Sequence, residues 1–425
     1  MSSKWLEAYN DLKSFIGATP GIEITSSSQC IPANVRTDFY HLFDNTRLAF
    51  IKEYLQGYVD YSRSLSQSYN ATVETIIKHL GVDEIKPKST LQWFLNDPLE
   101  GLSRLLFNLL FDLLKGKLDT EDFEEMAKEK LEQSFPDMFR DAYEHWVFVG
   151  LLSLLDGDKA MTVPLYGSEE DATLVGGGEP MPGTIQENIS SPQETSVISL
   201  EHAKEAAYMV PDIIISSKKL GGYASIRRDL YMPQRMVKDI SLNREWLQYR
   251  EVGIKSWHNY ALDWPDMVMY AGPTFRQLSL VADYSRFCRP EIIIECVEQD
   301  GWFSQQEVER IKRNQVFFRP KCGVFVICRG PIPDEAYQAF MPEPVAQVTA
   351  GEIPNDEQNL TETDPSNSLP TSSKDENITI TNQADAPGLF EADENNIHLV
   401  SVGYEVNLLA PVVEALIKGS QENPQ

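Results

Sequence analysis

Apolar residues recur at three- and four-residue spacing over 33–55, 65–80 and 98–114, which predicts three helices. Gly81 and Gly116 stand just past the last turns of the second and third, where a left-handed cap favours glycine. Within 102–114 the polar interruptions besides Ser103 are Arg104, Asn108 and Asp112, spaced by four. They form one narrow stripe on an otherwise apolar helix, which is expected to lie buried among others. The dense charge of 119–132 predicts an exposed helix. Residues 1–156 therefore read as an α-helical domain.

The helical period is lost after that point. Three consecutive glycines (Gly176–Gly178), prolines and scattered acids give 157–200 the composition of a flexible acidic linker. No Lys-Ser or Lys-Thr follows the glycines, so they make no phosphate loop. Residues 201–340 predict an α/β domain. A helix-like stretch, 242–257, leads into Trp264-Pro265-Asp266 and an apolar run at 267–270. Residues 275–284 fit both a strand of period two and a helix. The most strand-like segment of the chain, 290–298, follows. Ser304 with Glu307 three residues later is a capping box that opens a helix to about residue 317. A strand at 322–328 and a helix at 333–340 close the region. Residues 341–387, poor in aliphatics and rich in Pro, Asn, Asp, Glu, Ser and Thr, read as a disordered acidic linker. In 388–425 a strand-like run (397–402) and a helix-like one (408–417) are too short to bury a core alone. They are expected to dock on an earlier domain.

With 42% hydrophobic and 10% aromatic residues the chain can bury a sizeable core. Its longest apolar runs, 105–114 and 146–155, fall short of the ~18–20 residues that span a bilayer. The first ten residues lack the apolar stretch of a secretory signal, and the five cysteines include no CxxC pair. These features predict a soluble chain of a reducing compartment, cytoplasmic and without a membrane partner. The net charge of −27 argues against a polyanion as partner of the chain as a whole. The acidity is uneven, however. Residues 201–340 are nearly neutral and hold about half of the basic residues, so a nucleic acid is not excluded there. The six histidines show no metal-ligand spacing, and no GxSxG, GxGxxG or kinase signature is present.

Pro265-Asp266 and Glu295-Cys296-Val297 carry the most specific chemistry. If 275–284 is a strand, the order becomes helix–strand–strand–strand–helix–strand. Together these features resemble the PD-(D/E)XK nuclease superfamily, and 242–330 resembles in particular the nuclease domain of type I restriction motor subunits. The resemblance implies a mixed sheet of the restriction-endonuclease-like fold, α+β or α/β in class. It also implies Mg²⁺ held by an Asp and a Glu on neighbouring strands, with a Lys two residues after the Glu to activate water. Glu295 matches the Glu. Asp266 matches the Pro-Asp literally, and Asp283 is a rival nearer in sequence. Glu251 matches an additional Glu from the preceding helix. Val297 stands where the Lys belongs, and Lys312 on the following helix is the available substitute.

The implied catalytic set is therefore Glu295, Asp266, Asp283 and Lys312, and the implied metal set Asp266, Asp283, Glu295 and Glu251. Arg310, Lys312, Arg313, Arg319 and Lys321 form a candidate surface for DNA or RNA phosphates. Because valine neither donates a hydrogen bond nor stabilises charge, the resemblance implies an inactive or weak relative in a DNA-processing or defence context. A Mg²⁺-dependent nuclease is the less favoured form. An alternative of another class is an assembly protein that binds other protein subunits and uses this region as a scaffold. Each residue also has a plainer role. Asp266 would start a strand or close a turn, Asp283 would be a surface or turn residue, Glu295 would pair with an arginine at the end of the sheet, and the basic run would be a solvated helix face.

Overall fold

The computed structural model describes residues 3–162, 192–201, 211–228, 265–273, 281–283, 286–287, 289–299, 301–340 and 396–422. The expected helix at 242–257, the linker at 341–387 and Glu251 lie outside them.

The chain begins with helix α1 (Lys4–Ala18) and a short hairpin, β1 (Glu23–Ile24) and β2 (Gln29–Cys30). Helices α2 (Arg36–Tyr54) and α3 (Gln56–Leu80) follow, the latter ended by Gly81 at φ +64°. Strand β3 (Glu84–Lys86) precedes α4 (Gln92–Asn96), α5 (Pro98–Leu105) and α6 (Phe107–Leu114). The single helix expected over 98–114 is thus two. The chain turns at Leu106, whose N–H donates to the Ser103 carbonyl rather than one residue further back. Gly101 lets α5 lie against the backbone of α4, where a Cβ would come within 2.5 Å of the Phe94 Cα.

Helix α7 (Thr120–Leu154) is capped by Asp119, which accepts from the N–H groups of Glu121 and Asp122. Its charged first half is not wholly exposed: Phe123, Ala127 and Leu131 are buried. From Ala142 to Leu152 it is buried all round, so it runs through the middle of the molecule.

Residues 157–200, expected as linker, are strand at both ends. Strand β4 (Gly157–Thr162) follows directly on α7, and β5 (Gln193–Glu194) and β6 (Val197–Ser199) close the segment. Composition misleads here because β4 sits near the sheet edge, where polar residues are tolerated. Next come β7 (Ile213–Ser217), β8 (Gly222–Arg228) and β9 (Met267–Gly272). A separate hairpin of β10 (Val281–Asp283) and β11 (Arg286–Phe287) precedes β12 (Ile292–Val297). Then follow α8 (Gln305–Phe318), β13 (Val324–Cys328), α9 (Asp334–Phe340), β14 (Ile397–Ser401) and α10 (Ala410–Glu422).

Eight strands form one mixed sheet in the order β14-β13-β12-β9-β8-β7-β4-β5. β12, β13 and β14 are parallel neighbours, and every other pairing is antiparallel. The protein is thus mixed α and β, with an N-terminal helical region and a mixed sheet. Alternation along the strands divides two cores. Ile292, Ile294 and Cys296 of β12 join the helical region, whereas Ile293 and Val297 face Val308 and Ile311 of α8. The N-terminal helices, α10 and one face of the sheet share a single continuous core.

The last segment completes that core. β14 extends the sheet beside β13, and Leu409, Val412 and Leu416 are fully buried. Leu409 lies over Gly150 of α7, where a Cβ would come within 2.6 Å of its methyl carbon. Among the described residues no helix is long and apolar enough to cross a membrane. Shortening Leu409 to alanine leaves a cavity at this junction and should cost about 2–5 kcal/mol of unfolding free energy, measured by urea denaturation.

Candidate functional site

Two residues of the implied site meet at one end of the sheet. β9 and β12 pair antiparallel with Met267 opposite Ile294, so one step further sets Asp266 beside Glu295. Asp266 precedes β9, and its Oδ2 accepts the Cys296 N–H at 2.6 Å. That N–H belongs to a stretch of β12 that β9 no longer reaches, and the side chain supplies the acceptor the ladder lacks.

The same arrangement occurs three times. Pro211-Asp212, Pro265-Asp266 and Pro290-Glu291 each stand before an aliphatic strand. Asp212 accepts the Arg228 N–H at 2.7 Å, and Glu291 accepts the Ala271 N–H at 2.7 Å. In every case the acid directly precedes the first paired residue. The N–H it accepts lies two residues beyond that residue's partner. Proline has no N–H of its own to extend the pairing, so the acid that follows closes the strand end. Each acid also faces a cation: Arg227 lies 2.8 Å from Asp212, Lys321 lies 2.5 Å from Glu291, and Arg310 is near enough to Asp266 to feel its charge. Asp266 thus does the work of a strand cap, a role its sequence motif shares with two other sites.

Glu295 has no exposed surface. Helix α8 closes over it. Asn314 donates its Nδ2 hydrogen to Oε1 at 2.8 Å, and Arg310 Nη2 forms an ion pair with Oε2 at 2.9 Å. Residues 310 and 314 are one helical turn apart and so share the face that Val308 and Ile311 bury. Ser304 caps the helix by accepting the Glu307 N–H, and Glu307 Oε1 then takes both Nε and Nη2 of Arg310, at 2.8 and 2.6 Å. The guanidinium is therefore aimed by one glutamate at another. Burial drives the Glu295 carboxyl above the usual range, against the pull of Arg310 and Asn314. Burial also opposes the charge on Arg310, but Glu295, Glu307 and Asp266 outweigh it and hold the guanidinium above its ordinary value.

The remaining expected residues are not gathered here. Val297, at the position of the missing Lys, is buried in the core beneath α8. Lys312 is exposed, two residues from Arg310 and hence on another side of the helix. Asp283 belongs to the β10–β11 hairpin outside the main sheet, and its side chain lies outside the described residues. Of the basic run, Arg310 is internal and Lys321 is tied to the buried Glu291. Arg319 ends α8 at φ +45°, with its carbonyl accepting from Arg289 Nε at 2.8 Å. Lys312 is exposed on the outer side of α8, and Arg313 beside it is half-buried.

Mg²⁺ asks for several oxygen ligands with room for water. The residues present do not fit it. Glu295 is sealed and ion-paired, Asp266 is committed to a backbone amide, and Val297 offers no donor. Among the described residues no group of three or more His, Cys, Asp or Glu side chains is placed to hold a metal ion.

Polar groups that motif reading passed over cluster nearby. Arg228, buried on the helical side, donates to the Leu200 carbonyl at 2.7 Å and lies 3.4 Å from His145 Nε2. His145 Nδ1 lies 2.7 Å from the Asp141 carbonyl, which places its proton there and leaves Nε2 as acceptor. Just past β12, the Glu298 carbonyl accepts from Arg329 Nε at 2.7 Å and Tyr61 Oη at 3.4 Å. Burial raises the Glu298 carboxyl, with Arg140 and Arg329 acting the other way. The triple Pro-acid-aliphatic pattern was the available signal for β7 and for the capping role of Asp266.

Comparison of the chain with protein-family models, with curated proteins and with solved structures finds no match.

A carboxyl whose folded pKa is raised gives stability that is complete at low pH and lost as pH rises through that pKa. Glu298→Gln removes the penalty on the charged form. Its unfolding free energy relative to wild type should therefore move in the variant's favour as pH rises from about 5 to about 7. Urea denaturation at the two pH values checks this, and an unchanged difference contradicts it.

Proposed function

We propose that the protein is a nucleic-acid-associated member of the restriction-endonuclease-like group that does not cut, working in a DNA-processing or defence context. The observation that carries the reading is the placement of Asp266 and Glu295 side by side on adjacent antiparallel strands, with Val297 and α8 filling the space that hydrolysis would need. The succession β8–β9–β12–α8–β13 supports it. That is three antiparallel neighbours, a helix and a parallel strand. The third strand of the set is β8; of the 275–284 segment the described residues, Val281–Asp283, pair with β11 in a separate hairpin.

Nucleic acid is favoured over a purely structural role by the charge distribution. The sheet region is close to neutral within a strongly acidic chain, and Lys312 stands exposed on the outside of α8 with Arg313 half-buried beside it, whereas Arg310 and Lys321 are held in ion pairs. Phosphate contacts of this kind bind without dependence on base sequence and weaken with salt.

Fluorescence anisotropy with single- and double-stranded DNA and RNA tests the reading, alongside a cleavage assay in Mg²⁺ and Mn²⁺. Wild type should bind at low salt without cleaving. The Lys312→Glu, Arg313→Glu double variant should bind about tenfold more weakly or less, with a shallower salt dependence. Absence of binding to every nucleic acid would move the reading to an assembly protein, and cleavage abolished by Glu295→Gln would restore the hydrolytic one.

A further inference from the structure

The strand register sets Asp266 opposite Glu295, the first half-buried and the second without exposed surface, and like charges so placed repel unless a cation stands near them. The fold supplies a cation of its own. Arg310 reaches across from α8, makes an ion pair with Glu295 at 2.9 Å, is held in the electrostatic field of Asp266, and has its fork fixed by Glu307. Asn314 donates to the other Glu295 oxygen, so one carboxylate oxygen is met by a hydrogen bond and the other by the charge of Arg310. We propose that the Arg310 guanidinium occupies the place of a divalent cation between Asp266 and Glu295, making the carboxylate pair a metal-independent structural centre that pins α8 to the sheet.

The inference rests on the nuclease-like reading for the word "place", since that reading says where a cation would otherwise sit. The charge balance stands on the geometry alone. Breaking one side of a buried ion pair leaves the other charge uncompensated, whereas replacing both sides leaves none. A cation admitted to the vacated space should then do part of what the guanidinium did.

The test is thermal unfolding of the full chain for wild type, Arg310→Met, Glu295→Gln and the double variant, each in EDTA and in millimolar Mn²⁺. Arg310→Met should unfold at least about 5 °C below wild type in EDTA. The added Glu295→Gln should recover much of that loss. Mn²⁺ should raise the midpoint of Arg310→Met alone, leaving wild type and the double variant where they were. If Arg310→Met does not fold, Arg310→Gln, neutral but able to hydrogen-bond Glu295, takes its place in the cycle, with a smaller loss in EDTA and recovery in the same direction. The proposal is overturned if the Arg310 variant matches wild type, if the second substitution brings no recovery, or if Mn²⁺ stabilises wild type as much as the variant or stabilises neither. None of these readouts involves nucleic acid, so failure of nucleic-acid binding and failure of the cation substitution are seen separately.

Discussion

A strand covered on both faces leaves no water for its carboxylates, and β12 with its flanks carries three of them. Glu291, Glu295 and Glu298 are each less than a tenth exposed. An unpaired buried charge is costly enough that every one must find a cation or a donor within the fold. Lys321 reaches Glu291 from the loop after α8, and Arg310 and Asn314 reach Glu295 from α8 itself; at Glu298 the charges of Arg140 on α7 and of Arg329 past β13 act against the burial that raises its carboxyl. The demand of one strand thus fixes the exit of α8, its rotation and its contact with the helical region. Burial of these groups selects one arrangement of the surrounding elements more than it adds net stability.

The Pro-acid strand starts extend the same logic to the ends of the sheet. Where β7, β9 and β12 begin, a proline halts the pairing and the following acid accepts the neighbouring strand's next N–H. A short polar side chain here stands in for a missing backbone carbonyl. Asp266 is one case of a rule, and its neighbour Glu295 is what sets that corner apart.

Much of the fold was legible where one signal dominated. Ser304 and Glu307 marked the start of α8, the aliphatic runs of β12 and β13 marked buried strands, and the need of the last residues for a partner surface is met by β13 and α7. The misses have physical causes. β4 was hidden by polar composition at a sheet position that tolerates it, and β7, as long as β13, was missed although Pro211-Asp212 before its aliphatic run carried the signal. The break at Leu106 is a change of hydrogen-bond spacing over a single residue, which periodicity does not encode. At the site, Glu295 was legible as a buried acid, but the identity of its partner was not. In a basic run spanning 310–321, only the helix phase separates the inward Arg310 and Asn314 from the outward Lys312, and that phase is settled by packing against the sheet.

The central claim is that the Asp266–Glu295 corner is closed by the protein's own cation. Isothermal titration calorimetry of Mg²⁺ and Mn²⁺ into wild type and Glu295→Gln addresses it most directly. The account predicts no saturable heat from either protein. A saturable heat in wild type that disappears in Glu295→Gln would show that the corner opens to a metal ion, and would contradict the account.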